Sequence, residues 1–177
     1  MLNLIIPIKK SRPAKLNWRD IYVIIRDSCR IKRAMRRPFP GRYPYASSIS
    51  HCQLKSAQND PLRFFVVDRE GGMREEGVRL RQATKLKRYF GARTIINPEI
   101  IGHGKETVMS KEGCMGFPDG RIRKIKRWEV VECEYYTLLP PFKRRKKFYM
   151  YRASIIQHEI DHLNTVDIEQ RYRHKIK

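Results

Sequence analysis

Acidic side chains are scarce in this chain: 18 Asp and Glu stand against 39 Lys and Arg, a formal net charge of +21. Such a field costs compactness through self-repulsion and draws polyanions. The basic residues spread over most of the chain, so a disordered basic tail does not account for them. Two readings stay open: a charge that serves solubility, or a ribosome/rRNA surface as partner. Cysteine is also sparse. Cys29, Cys52, Cys114 and Cys133 form no C-x-x-C pair and no framework spacing, which excludes a disulfide scaffold and points to a reduced, cytoplasmic chain. Cys29 and Cys133 are expected in the core. No apolar run approaches the roughly twenty residues of a membrane span. Leu4-Ile5-Ile6 is short for a signal segment, and its lysines follow rather than precede it. Organelle targeting is left open. At 177 residues with 41% hydrophobic content, one domain over 1–177 is expected.

What the chain does have is His158-Glu159-Ile160-Asp161-His162. On a helix, histidines four apart project from one face about one turn apart, where two imidazoles reach one metal ion. Glu159 stands beside them, able to reach water without being a ligand. Ile156, Ile160 and Leu163, at i, i+4 and i+7, form the stripe that buries such a helix. A third ligand must come from elsewhere. The extended H-E-x-x-H-x-x-G-x-x-H pattern is absent, since Thr165 and Ile168 hold the glycine and histidine places. Glu169 and His174 lie in a short basic tail with little packing expected to hold them. Upstream, His103 sits between Gly102 and Gly104, and Cys114 sits between Gly113 and Gly116, a setting suited to presenting a thiolate.

Glu112-Gly113-Cys114, followed some forty residues later by Gln157-His158-Glu159-x-Asp161-His162-Leu163, resembles the two diagnostic motifs of the peptide deformylase family. Ile96-Asn97-Pro98-Glu99 fits the family's approach to the cysteine, and the likeness runs from about Ser48 to Val166. It implies an α+β fold of short antiparallel or mixed sheets around a central motif helix, plus an N-terminal helix. It also implies removal of the formyl group from N-formylmethionyl nascent peptides, with one divalent metal on Cys114, His158 and His162. Ferrous iron is the expected ion, and zinc or nickel suits the same donors. The resemblance makes Glu159 the general base and acid, and Gln58 and the Met115 backbone N–H the oxyanion donors. Gln53, Arg121 and Ile155 fall on the substrate side, and Glu112 and Asp161 orient ligands or nearby backbone.

The family's G-x-G-x-A-A-x-Q motif is where the chain departs. Its best match is His51 to Gln58, with His51 and Gln53 in the glycine places and Lys55 for the first alanine. Two other functions stand beside deformylation. One is a zinc peptidase with a different third ligand. The other is a deformylase-like protein without turnover that binds ribosomes or RNA.

The remaining expectations concern elements. Met1 to Ile8 reads as an edge strand or arm. Asn17 caps a helix from Trp18 to about Arg37, with Ile21, Ile24, Ile25 and Ile31 on its apolar face. Pro38 to Tyr45 is a loop, Leu62–Asp68 a strand, and Glu70-Gly71-Gly72 a turn. Met73 to Arg93 is a basic insertion and an RNA-facing candidate. Thr94–Ile101 and Trp128–Tyr136 read as strands, Phe117 to Gly120 and Lys143 to Lys147 as turns, and Phe148 starts a new element. Asn164 to Lys177 leaves room for a few helical turns.

Overall fold

The computed structural model describes residues 9–35, 48–68, 92–114, 116, 121–138, 140 and 142–174. The expectations for Met1–Ile8, Pro38–Tyr45, Glu70–Gly72, most of the 73–93 insertion, Met115 and Phe117–Gly120 fall outside these residues.

Helix α1 (Trp18–Met35) begins where expected, with Asn17 Oδ1 accepting the Asp20 N–H at 2.9 Å. Ile24, Ile31 and Met35 are buried, but Ile25 is 37% exposed, which corrects its place on the apolar face. The buried arc is completed by polar residues, Asp20, Asp27 and Ser28, each with a hydrogen-bond partner. Cys29, expected in the core, is only half-buried.

Five antiparallel strands form one sheet in the order β1-β2-β3-β6-β7: β1 (Ser48–Ser50), β2 (Phe64–Asp68), β3 (Ala92–His103), β6 (Val130–Tyr136) and β7 (Lys143–Tyr149). Strands β4 (Thr107–Glu112) and β5 (Arg123–Trp128) make a separate two-stranded sheet. The uniform apolarity of β2 has its reason in two-sided burial: Phe64 and Val66 face a cluster with α1, while Phe65 faces the motif helix. Strand β3 bulges at Asn97, whose φ is 48°. The Asn97 side chain accepts the Ala14 N–H at 2.7 Å and donates to Ala14 O at 2.8 Å, tying down the approach to α1.

Two element expectations are corrected. The stretch Trp128–Tyr136 is not one strand, because it breaks at Glu129 between β5 and β6. The basic run Lys143–Lys147 is not a turn. It is most of edge strand β7, where Arg145 pairs with Glu132 and Lys143 with Glu134 across the ladder.

The motif helix α2 (Met150–Leu163) is buried from Ala153 onward, apart from half-buried His158. Ala153, Ile156, Ile160 and Leu163 pack on the large sheet. Gln157 docks the small sheet: its Oε1 accepts the Trp128 N–H at 3.0 Å and its Nε2 donates to Trp128 O at 2.9 Å. Helix α3 (Ile168–His174) opens with a reciprocal cap, Asp167 accepting the Gln170 N–H at 2.7 Å and Gln170 Oε1 accepting the Asp167 N–H at 2.8 Å. The tail is therefore better held than its composition implies, with Ile168 buried against Cys114 and Ile125.

Candidate metal centre

Helix α2 delivers His158 and His162 from one face, and the end of β4 delivers Cys114 two residues after Glu112. The Cys114 Sγ lies 3.4 Å from His162 Nε2, which lies 3.0 Å from His158 Nε2. All three ligand atoms fall within 4.8 Å of one another. The other nitrogen of His158, Nδ1, sits 2.9 Å from Glu112 Oε2; as a metal ligand the ring would keep its proton there and turn the Nε2 electron pair inward. One sulfur and two imidazole nitrogens, gathered in a buried spot, fit a soft divalent cation with an open fourth position. Burial alone disfavours charge on both rings. The Cys114 sulfur and Glu112 outweigh it at His158 and raise its pKa well above the imidazole value. At His162, burial is joined by the charges of His158 and Arg127, which hold its pKa well below that value.

Behind the ligands runs a buried ionic chain. The Arg127 guanidinium donates to both oxygens of Glu112, at 2.7 and 2.8 Å, and to Asp161 Oδ2 at 2.5 Å. Asp161 also accepts from Arg171 of α3 through both its oxygens. Burial pushes the Glu112 carboxyl up, yet Arg127 and His158 hold it down to about 2. Glu112 thus touches a histidine directly, while Asp161 acts on the same group through Arg127. Arg127 went unnoticed in the sequence, hidden in the basic run 121–127. Its signal was period two: Arg123, Ile125 and Arg127 share the inward face of β5, with Ile125 buried.

Glu159 is 2% exposed. Burial pushes its carboxyl above the usual glutamate range, against the pull of His158 and two serine hydroxyls. The glutamine expectation is corrected. Gln58 Nε2 donates to Cys52 O at 2.5 Å and Leu54 O at 3.1 Å, so its amide is committed to backbone. Gln53, expected on the substrate side in a glycine's place, is the glutamine at the cluster. It is 4% exposed, its Nε2 lies 3.5 Å from Cys114 Sγ, and its Oε1 accepts the Ser50 N–H at 3.0 Å. The motif match picks Gln58, whereas the fold brings Gln53 to the cluster, at the end of one short turn (51–53) and with a second (55–57) between it and β2.

The other named residues disperse. Ile155 stands one turn before His158 and lines a small cavity of about 100 Å³ with Tyr135, Phe148 and Arg152. Arg121 is exposed, two residues ahead of β5. His103 is no ligand here, since it stacks on Trp128 at 3.8 Å and sits 2.8 Å from Gly104 O. Glu169 pairs with Arg123. The His174 side chain lies outside the described residues. A larger cavity, about 750 Å³, opens where α2 presents Gln157 and Asp161 toward Arg171 and Tyr172. Its wall includes none of the clustered residues.

The decisive comparison is a family model. The model for polypeptide deformylase matches residues 58–176, about two thirds of the sequence. The chain belongs to the peptide deformylase family. A peptide deformylase of Helicobacter pylori is 36% identical over 106 residues, covering 60% of this chain and 53% of that protein. One from Thermotoga neapolitana is 36% identical over 83 residues, covering 47% and 49%. The chain thus aligns with about half the length of the curated relatives it matches. Among solved structures, peptide deformylase from Thermotoga maritima superposes with a TM-score of 0.70 at 23% identity, over 97% of both chains. A probable peptide deformylase from synechococcus phage S-SSM7 gives 0.69 at 19%, over 97% of this chain and all of the other. These likenesses establish the deformylase fold for the described α+β arrangement.

Proposed function

We propose that this chain removes the formyl group from N-formylmethionyl peptides, in the cytoplasm where nascent chains emerge. The observation that carries the reading is the convergence of Cys114 Sγ and the two imidazole Nε2 atoms beside buried Glu159. Cys114, His158 and His162 would hold the metal, with ferrous iron the ion proposed; one thiolate and two imidazoles suit zinc and nickel as well. When bound, the metal supplies Lewis acidity, activating water for attack on the formyl carbon and polarising the formyl oxygen. Glu159 takes the proton of the attacking water on its carboxylate and returns it to the leaving amine nitrogen, so formate and a free amino terminus result. The Gln53 side-chain N–H, already directed at the cluster, donates to the oxygen that gains charge. The Met115 backbone N–H, outside the described residues, remains the second proposed donor. Arg121 and Ile155 remain proposed substrate contacts.

The test is anaerobic assay of the iron-loaded protein on formyl-Met-Ala-Ser, with Glu159→Ala as control. Formate release by the native protein and its loss in the variant support the reading. No release by the native protein refutes it. A Cys114→Ala protein that binds one metal and cleaves internal peptide bonds would instead establish a peptidase.

A polyanion partner is favoured by the solvent face of α1. Trp18 is 74% exposed and Tyr22 62%, with Arg19 5.2 Å above the first ring and Arg26 6.0 Å above the second. Arg30 and Arg33 continue the stripe, and both acids of α1 are buried. Cations interleaved with stacking rings suit single-stranded RNA. Salt-sensitive RNA binding that falls in Trp18→Ala/Arg33→Glu supports this surface, and binding unchanged in that variant removes it.

A further inference from the structure

Strand β1 enters the centre with serines at both of its ends. A two-residue period sends Ser48 and Ser50 to the same face, toward α2, while Ile49 points the other way into the α1 cluster. Ser48 Oγ lies 2.6 Å from Glu159 Oε1, and Ser50 Oγ lies 2.5 Å from Glu159 Oε2. Each carboxylate oxygen therefore receives one hydroxyl. A carboxylate accepts at about four lone-pair sites, so one site on each oxygen stays open for water or the substrate amine.

We propose that Ser48 and Ser50 are positioning residues for the general base, a pair of hydroxyls that fixes the plane of the Glu159 carboxylate. The inference rests on the deformylase reading and deepens it. The torsion that turns a glutamate carboxylate is broad and roughly two-fold, so packing along the stem does not set the plane. One donor leaves the group free to swing about that contact. Two donors on different oxygens define the plane, and proton transfer depends on it, because the basic lone pair must point along the path to its partner.

The clamp is itself anchored. His51 Nδ1 accepts the Leu62 N–H at 2.9 Å, its Nε2 lies 3.1 Å from Asp27 Oδ2, and its ring stacks on Phe64 at 4.4 Å. Asp27 is held in turn by Arg26 and Arg30. The Ser50 backbone N–H, bonded to Gln53 Oε1, turns the glutamine amide toward Cys114. One short segment thus orients the base through its hydroxyls and the oxyanion donor through its backbone.

The experiment compares Ser48→Ala, Ser50→Ala, the double variant and Ser48→Thr, which keeps the hydroxyl. Each is assayed iron-loaded on formyl-Met-Ala-Ser, its metal content is measured, and the double variant is crystallised. The expected result is kcat lower by about tenfold to a hundredfold in the double variant, with KM and metal content near native. Ser48→Thr should retain most of the rate, and the Glu159 carboxylate should be rotated in the crystal. Native kcat in the double variant overturns the proposal, as does lost kcat with the carboxylate unmoved, or Ser48→Thr as impaired as Ser48→Ala. If the double variant fails to fold, Ser48→Ala and Ser48→Thr carry the test, since Ser48 is only half-buried. A native protein without turnover sinks the deformylase reading, while the crystallographic arm still decides whether the hydroxyls set the carboxylate.

Discussion

Replacing Arg127 with methionine should be the most damaging change outside the ligands. The side chain is 4% exposed and donates to two buried carboxylates, Glu112 and Asp161. Methionine fills the volume but leaves both acids without that cation. Breaking a buried ion pair from one side costs about 3–5 kcal/mol. A second route reaches a similar figure. Glu112 is held at about 2 against an ordinary 4.5 by Arg127 and His158 together, and at about 1.4 kcal/mol per pKa unit that depression is worth about 3 kcal/mol, an upper bound on the share of Arg127. A folded-state pKa below the unfolded one stabilises the fold above pH 4.5, and the contribution fades as pH falls toward 2. Without Arg127 only His158 still holds the Glu112 carboxyl down against burial, so the depression shrinks and the variant loses less stability as pH falls. The gap between native and variant proteins should therefore be widest at pH 7 and narrower at pH 4. Urea denaturation at both pH values, with chelator present throughout, measures it. An equal loss at the two pH values, or a loss below about 1 kcal/mol at pH 7, would refute the assignment of Arg127 as the counter-charge of the centre.

The two glutamines should separate cleanly. Gln53→Leu is expected to lower kcat by about 100- to 1,000-fold, and Gln58→Leu to stay near native; the reverse order would return the oxyanion role to Gln58. His51→Ala removes a ring stack and two buried hydrogen bonds, so a loss of about 2–4 kcal/mol in urea denaturation is expected. A change within 0.5 kcal/mol, the range of about that size typical of surface sites, would show that the α1 anchor is dispensable. Chelation should lower the unfolding temperature of the metal-loaded protein, because an ion held only by the folded state adds about 2.7 kcal/mol at a hundredfold excess over Kd. Cys114→Ala should lose this response, and a full response in that variant would dismiss the sulfur as a ligand.

The parts of the centre that read clearly from the sequence are those set by local spacing. Two histidines four apart need only a helix to meet, and a cysteine between glycines needs only a tight path. Asn17 and the unbroken apolar run of β2 announced themselves in the same way. What stayed hidden depends on distant partners or on chain length between motifs. Gln53 was placed on the substrate side and the oxyanion given to Gln58, because an extra turn at 55–57 separates Gln53 from β2 and motif matching counts residues rather than space. Arg127 and Arg171 looked like two more cations in a basic chain until the fold placed both on Asp161. Ser48 and Ser50 carry no signal at all without the helix they face. The Lys143–Lys147 run was misread because so many like charges suggest a solvated turn, whereas Glu132 and Glu134 on the neighbouring strand offset enough of them to permit a ladder.

That same strand bears on how copies of the protein meet. As the last member of its sheet among the described residues, β7 has a rim of backbone donors and acceptors of the kind that zips onto its own twin in another molecule. Five consecutive positive side chains line it from 143 to 147, and two such rims approaching each other bring like charges together before any backbone bond can close. Protection of this sort depends on the medium. In about 1 M salt, where charges are felt over only about 3 Å, the barrier thins and the rims become free to pair, so a preparation that keeps well in brine-free buffer would be the one to clump when salted out.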